Sequence, residues 1–308
     1  MESFLLVDGH ALLHRAFFAL PPFKTKSGFP TNAIYGFLTI LNKAISDFNP
    51  NYLVVCFDTP KPTFRNKLYK KYQIQRPKTD LNLKIQIPSI KKILKSGKIL
   101  YLEKDGFEAD DLLGTIVKQV RDENIKKLIL TGDKDLLQLV DSSTFVVSPH
   151  IGFNKSRLFD EEEVINKLKI KPCQIPDYKA LAGDPSDNYP GAKGIGPKTA
   201  SQLINNFNTI ENLFKKINNI RNEKLKNILI DNKDAILMAK KLALIEKNIN
   251  LHFQLNKARF IGFDQAMKKE LLELEMNTLV SRIFKLNPSI MKEKVNKEKI
   301  NEDQIKLF

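Results

Sequence analysis

Three short apolar runs in this sequence each end in aspartate, and that repetition narrows the folds open to the chain. Residues 3–7 (Ser-Phe-Leu-Leu-Val) lead into Asp8-Gly9, residues 52–57 (Tyr-Leu-Val-Val-Cys-Phe) into Asp58, and residues 127–131 (Lys-Leu-Ile-Leu-Thr) into Gly132-Asp133-Lys134-Asp135. Each run has the length and composition of a buried strand. Between the first two, Ala33, Ile34, Phe37, Leu38, Leu41, Ile45 and Phe48 recur at helical spacing and predict a core-facing helix over 31–48. Strands separated by helices build a parallel sheet, whose ligands gather beyond the carboxyl ends of the strands. One aspartate after a strand is ordinarily a turn residue. Three on one sheet edge repel one another unless something positive sits there, which points to a metal site. The expected fold class is α/β, a mostly parallel central sheet flanked by helices.

Two further stretches add acid to that edge. Gly106-Phe107-Glu108-Ala109-Asp110-Asp111 leads into a helix expected over 112–120. Acids in a first turn favour the helix dipole, but capping needs one or two, and here three carboxylates crowd four residues. The second stretch, residues 183–200, joins two chemistries. Asp184 and Asp187 lie in a Gly/Pro/Asn-rich loop and are able to hold a hard cation. Gly194-Ile195-Gly196 then permits a tight turn, with Pro197 as first residue of a helix running to Phe207. Amides exposed at that helix start suit a phosphate, and Lys193, Lys198 and Thr199 beside them fit a grip on a nucleic-acid backbone.

The charge agrees with such a partner. The 308 residues carry 50 Lys and Arg against 35 Asp and Glu, a net charge of +15 and a pI near 9.5, which favours a polyanion. No long apolar span and no strong basic amphipathic helix is present, so no membrane contact is expected. The first residues are broken by Asp8, His10 and Arg15 and lack a basic leader, which argues against a signal peptide. Cys56 lies inside an apolar run and Cys173 far from it, with no ligand spacing; a reducing cytoplasm fits. Lys61 to Lys98 holds twelve Lys and Arg against one acid, Asp80, with Phe64, Tyr69 and Tyr72 interleaved. That one-sign run predicts an insertion making phosphate contacts and stacking bases, including Lys70, Lys71 and Tyr72.

A strand is expected over 144–148, helices over 161–168 (capped by Asp160), 174–182 and 270–285, and amphipathic helices within 209–246. Residues 287–303 turn polar and read as a flexible tail ending in Gln304-Ile305-Lys306-Leu307-Phe308.

These groups together resemble a known family. Val7-Asp8-Gly9 with Arg15, Phe57-Asp58-Thr59, Phe64-Arg65 with Arg76-Pro77, Glu108-Ala109-Asp110-Asp111, Thr131-Gly132-Asp133-Lys134-Asp135 and the 183–200 stretch match the bacterial 5′ nucleases, the flap-endonuclease-like domain at the N-terminus of DNA polymerase I. The resemblance covers about residues 1–290. It implies a PIN-like 5′ nuclease core over 1–172 with a basic helical arch at about 60–98. A helix-hairpin-helix-type subdomain over 173–286 would hold duplex DNA through Lys193, Gly194, Ile195, Gly196, Lys198 and Thr199, with a K⁺ ion at that element. With no polymerase part following, a stand-alone, monomeric enzyme is expected. Gln304, Leu307 and Phe308 look like the peptides by which bacterial replication proteins dock on the sliding clamp. One departure is Gln73: the family usually has a lysine after the tyrosine of the arch, where it helps the scissile phosphate.

The expected activity is structure-specific 5′-3′ exonuclease and flap endonuclease cleavage of branched or 5′-ended DNA, in replication and repair. Asp8, Asp58, Glu108, Asp110, Asp111, Asp133, Asp135, Asp184 and Asp187 would bind two or more Mg²⁺ or Mn²⁺ ions, because oxygen ligands select hard cations. Arg15, Arg65 and Arg76 would steer the phosphate and offset transition-state charge. His10 and His14 receive no catalytic role. A junction-binding protein without activity and an RNA-processing nuclease remain the alternatives.

Overall fold

The computed structural model describes residues 1–149 and 156–285. The expected tail over 287–308, with the expected clamp-binding residues Gln304, Leu307 and Phe308, lies outside them. The N-terminal part runs β1 (Glu2–Asp8), α1 (Gly9–Ala19), α2 (Asn32–Phe48), β2 (Tyr52–Phe57), α3 (Phe64–Leu68), α4 (Leu81–Lys84), α5 (Gln86–Ser96), β3 (Leu100–Glu103), α6 (Ala109–Gln119), β4 (Ile125–Leu130), β5 (Thr144–Ser148), β6 (Arg157–Phe159) and α7 (Glu161–Leu168). The C-terminal part is helical: α8 (Ile175–Ala182), α9 (Pro197–Phe207), α10 (Ile210–Lys215), α11 (Glu223–Asp231), α12 (Lys233–Ala243), α13 (Ala266–Glu273) and α14 (Asn277–Lys285).

The six strands form one sheet in the order β3-β2-β1-β4-β5-β6, parallel except for the β5–β6 pair. Its centre is buried on both faces, which is why β1 and β2 read as unbroken apolar runs. Alternation along β1 sends Phe4 and Leu6 to a core shared with α6, α8, α9 and α12, and Leu5 and Val7 to a core shared with α2, α5, α13 and α14. Each fully buried Leu, Val or Phe there contributes about 1.5–3 kcal/mol. That rigid layer is what the acidic edge is built on.

Strands over 52–57 and 144–148 and helices over 32–48 and 161–168 lie where the spacing put them, and Asp160 Oδ1 caps α7 by accepting from the Glu163 N–H at 2.8 Å. β3 and β6, four and three residues long, are too short to show a period and were not expected. The single helix expected over 270–285 is two helices, α13 and α14, parted by Glu275 at φ 59°.

The basic stretch also divides. Residues 86–96 form α5, whose Ile90, Ile93 and Leu94 are core. Lys91, Lys92 and Lys98 pair with Glu103, Glu270 and Asp264, acids from outside the stretch. The one-sign run in sequence is therefore partly neutralised in space, and Lys67, Lys70, Lys71, Arg76, Lys78 and Lys84 are exposed along the rest of it.

Candidate active site

The carboxyl ends of β1, β2 and β4 and the start of α6 meet on one edge of the sheet. β1 ends with Asp8, whose Oδ1 caps α1 by accepting from the Ala11 N–H at 3.0 Å and whose Oδ2 accepts from the Thr131 hydroxyl at 2.8 Å. Beyond β2, Asp58 Oδ1 accepts from the Ala109 N–H at 2.7 Å, which fastens the second strand to the start of α6. Glu108 is the N-cap of α6, and its Oε1 accepts from the Thr63 hydroxyl at 3.0 Å. Capping and acid crowding are here the same feature. Beyond β4, Asp133 Oδ1 accepts from the Asp135 N–H at 2.8 Å.

The 183–191 loop brings the remaining acids. Gly183, at φ 79°, and Gly191 close it by backbone contact: a Cβ on Gly191 would meet the Gly183 nitrogen and the Leu181 oxygen at 2.3 Å. Asp184 Oδ1 accepts from the Ser186 N–H at 2.8 Å. One carboxylate oxygen each from Asp135, Asp184 and Asp187 lies within 4.8 Å of the others. Two unit charges at that separation repel by about 3.5 kcal/mol at an effective dielectric near 20. The Lys179 ammonium, on α8, meets part of this by pairing with both Asp135 and Asp184. Burial works against ionised Asp184, but Lys179 wins and holds its carboxyl below the usual range.

At the other acids burial and mutual repulsion outweigh the positive charge nearby. Burial, then repulsion from Asp58, pushes Asp8 up to about 7. Burial raises Glu108 to about 7 despite Arg65 beside it, and burial with repulsion from Asp133 raises Asp135 to about 6. Asp110 is raised well above the ordinary aspartate value, chiefly by burial. An oxygen-rich cluster with this deficit fits divalent cations. Asp8, Asp58, Glu108, Asp110, Asp133, Asp135, Asp184 and Asp187 are the residues able to hold them.

Three expectations need correction. Arg65 does not face substrate: it is 1% exposed. Its Nη1 and Nη2 donate to the two Asp111 oxygens at 2.7 and 2.8 Å, Nε to the Leu242 carbonyl at 2.9 Å, Nη2 also to the Leu244 carbonyl at 3.0 Å, and Nη1 lies 3.3 Å from Glu108 Oε2. Four of its five N–H donors are in hydrogen bonds and the buried guanidinium is further paired with Glu108, so none is presented to a phosphate. Asp111, 0% exposed, is filled in turn by Arg65, the Glu108 N–H and the Glu246 N–H and is not a cation ligand. Tyr72 is buried, its hydroxyl 3.2 Å from both Glu108 Oε2 and Asp187 Oδ2, so its ring is not free to stack on a base. Tyr69 likewise packs against the core.

The other predicted residues stay accessible. Arg15 is half-buried beside Gly132, with its Nε buried and without a hydrogen-bond partner. Arg76 is half-exposed and pairs with Asp187 at 2.5 Å. Lys193, Gly194, Gly196 and Lys198 are exposed around the start of α9, Gly194 at φ 96°, while Ile195 is buried and anchors the turn. The first-turn amides of α9, Thr199 among them, have no acceptor within the helix. Lys179 looked in the sequence like any helix lysine, and His10, given no catalytic role there, accepts at Nδ1 from the Asp58 N–H at 3.1 Å.

A family model described as the 5′-3′ exonuclease N-terminal resolvase-like domain matches residues 3–169, and one described as the 5′-3′ exonuclease C-terminal SAM fold matches 170–266. The chain belongs to the 5′-3′ exonuclease family. It is 39% identical to a 5′-3′ exonuclease of Aquifex aeolicus over 93% of this chain and 96% of that one. It is 37% identical to DNA polymerase I of Bacillus subtilis over 92% of this chain, and spans about a third (32%) of that protein's length. Among solved structures, the bacteriophage T5 5′-exonuclease with bound zinc ions shares the fold, with TM-score 0.65, 17% identity, and coverage of 92% of this chain and 99% of that one. The catalytic core of Rad2 in complex with DNA substrate does so with TM-score 0.60, 16% identity and 92% of each chain. The exonuclease chain is thus a nuclease, and its sheet edge carries a cluster of acids. No helix among its described residues is long and apolar enough to cross a membrane.

Proposed function

We propose that this nuclease is a structure-specific 5′-3′ exonuclease and flap endonuclease of DNA replication and repair, dependent on two or more Mg²⁺ or Mn²⁺ ions. The observation that carries this reading is the convergence of acids from the ends of three strands, the start of α6 and the 183–191 loop on one edge. Relatives support it: a T5 flap endonuclease variant was solved with DNA and metal ions, and the Rad2 core with DNA substrate. In this reading residues 1–172 are the nuclease core, with the tip of the 60–98 segment as arch, and 173–286 the duplex-binding part. The exposed amides of α9 with Lys193 and Lys198 take the phosphates of the duplex, with K⁺ at the same turn, and the C-terminal peptide takes the sliding clamp.

Asp8, Asp58, Glu108 and Asp110 would hold one ion, and Asp135, Asp184 and Asp187 another. Bound there, the ions supply acidity to a water and charge stabilisation to the leaving oxygen. Water oxygen joins phosphorus as the P–O3′ bond breaks, leaving a 5′ phosphate and a 3′ hydroxyl. Arg15 and Arg76, the two accessible guanidiniums near the acids, orient the phosphate and offset the charge that builds on it. Thr131, Thr63 and His10 fix the carboxylates or the backbone beside them. A nicked 5′-flap DNA incubated with Mg²⁺ tests the reading: cleavage at the junction releasing the flap is expected, and tight binding without cleavage overturns it. A matched RNA flap in a parallel lane decides the strand chemistry.

A further inference from the structure

Residues 71–76, at the base of the proposed arch, and the acidic loop at 185–188 grip each other at six points. The Lys71 carbonyl accepts from Asn188 Nδ2 at 2.7 Å, the Gln73 N–H donates to the Asp187 carbonyl at 2.9 Å, and the Gln75 amide donates to the Pro185 carbonyl. The other three converge on one carboxylate. Gln73 Nε2 and Arg76 Nη2 reach Asp187 Oδ1 at 3.0 and 2.5 Å, and the Tyr72 hydroxyl reaches Oδ2 at 3.2 Å. Gln73 makes two of these contacts from a left-handed backbone, φ 54°, which a residue with a Cβ adopts only when its surroundings hold it there.

Asp187 therefore serves two sets of partners. A carboxylate offers about four lone-pair directions, and three are taken here. Its oxygen also lies with those of Asp135 and Asp184 in the cluster that fits a cation. Resting on the divalent-ion reading above, we infer that Gln73 is a positioning residue that clasps Asp187 and keeps the arch base docked on the acidic loop until Asp187 turns to a divalent cation. The Arg76 tie is the half-exposed one of the three, the one that water reaches and screens, and the one that a cation at Asp187 displaces by like-charge repulsion. Once released, Arg76 is free for the substrate phosphate, so the clasp couples cation loading to delivery of an arginine. The neutral Gln73 amide holds Asp187 without adding to the positive charge that Arg76 and Lys179 already place beside the cluster.

The test uses the full chain without DNA. Mg²⁺ binding is measured by calorimetry, and tryptic cleavage after Lys71 is followed with and without saturating Mg²⁺. The sequence has no tryptophan, so an Ile74→Trp variant at an exposed position supplies a second, spectroscopic readout. Cleavage after Lys71 rises about fivefold or more on Mg²⁺ binding, because proteolysis follows the population of the opened segment. In Gln73→Ala it is fast with or without Mg²⁺, while cleavage after Lys215 is unchanged. The Ile74→Trp emission shifts with the same half-saturation as the calorimetric binding. Mg²⁺ binding that leaves both signals unchanged, or slows cleavage, overturns the clasp and leaves the proposed function standing. Absence of Mg²⁺ binding overturns both.

Discussion

Arg65 grips Asp111 with both ends of its guanidinium, at 2.7 and 2.8 Å, directly beneath the acidic edge. The pair ties α3 and α6 to the end of α12, because Arg65 also donates to the Leu242 and Leu244 carbonyls and Asp111 accepts from the Glu246 N–H. Its place is structural, under the site rather than in it.

Breaking that pair should cost stability first. Asp111→Asn takes from buried Arg65 the counter-charge that it holds with both ends of its guanidinium, a loss of about 3–5 kcal/mol. Urea denaturation of the variant checks this. A midpoint within error of the parent chain would refute the assignment.

Asp58 is the opposite case, since its side chain is 41% exposed at the mouth of the site. Asp58→Asn should fold normally and bind flap DNA as before, while cleavage per bound complex falls at least about a hundredfold. Single-turnover cleavage and a gel-shift titration separate the two effects. Lost binding with unchanged cleavage of the bound fraction would contradict the role.

Stability should depend on pH with a definite sign. Asp8 and Glu108 are raised to about 7 and Asp135 to about 6, from ordinary values of 3.8, 4.5 and 3.8. Folding therefore takes up protons. The contribution is full below about pH 4 and is lost as pH rises toward 7. In the absence of divalent ions, the melting temperature should fall between pH 5 and pH 8, on the order of several degrees. Added Mg²⁺, which competes with those protons, should raise it more at pH 8 than at pH 5.5. Calorimetric scans at both pH values, with and without Mg²⁺, decide the point.

Thr131 should tune Asp8. Its hydroxyl donates to Asp8 Oδ2 and favours the ionised form against the larger effect of burial. Thr131→Val removes that donor, so Asp8 is raised further and the acid limb of the pH–rate profile moves upward. A profile that does not move, in a variant that still folds, would exclude the link.

Arg65 and Arg76 show how much of the site a reader of the sequence had in hand. Both were visible as arginines in a basic stretch near the acids. Nothing in that stretch told that Asp111 and the carbonyls of α12, distant in sequence, fill one guanidinium while the other stays at the surface. The same holds for Lys91, Lys92 and Lys98, whose acidic partners lie outside their own segment.

By itself the sequence determined the parallel sheet, because strands buried on both faces must be apolar throughout. It also determined the acidic edge, because residues following such strands have one place to go. Which carboxylates face outward, where Tyr72 points and what Gln73 holds were decided only when the chain closed, since each depends on groups between 36 and 135 residues away. Periodicity records the neighbours a residue has along its own element. Charge compensation is settled among elements that meet in space, and that meeting is the work of the tertiary structure.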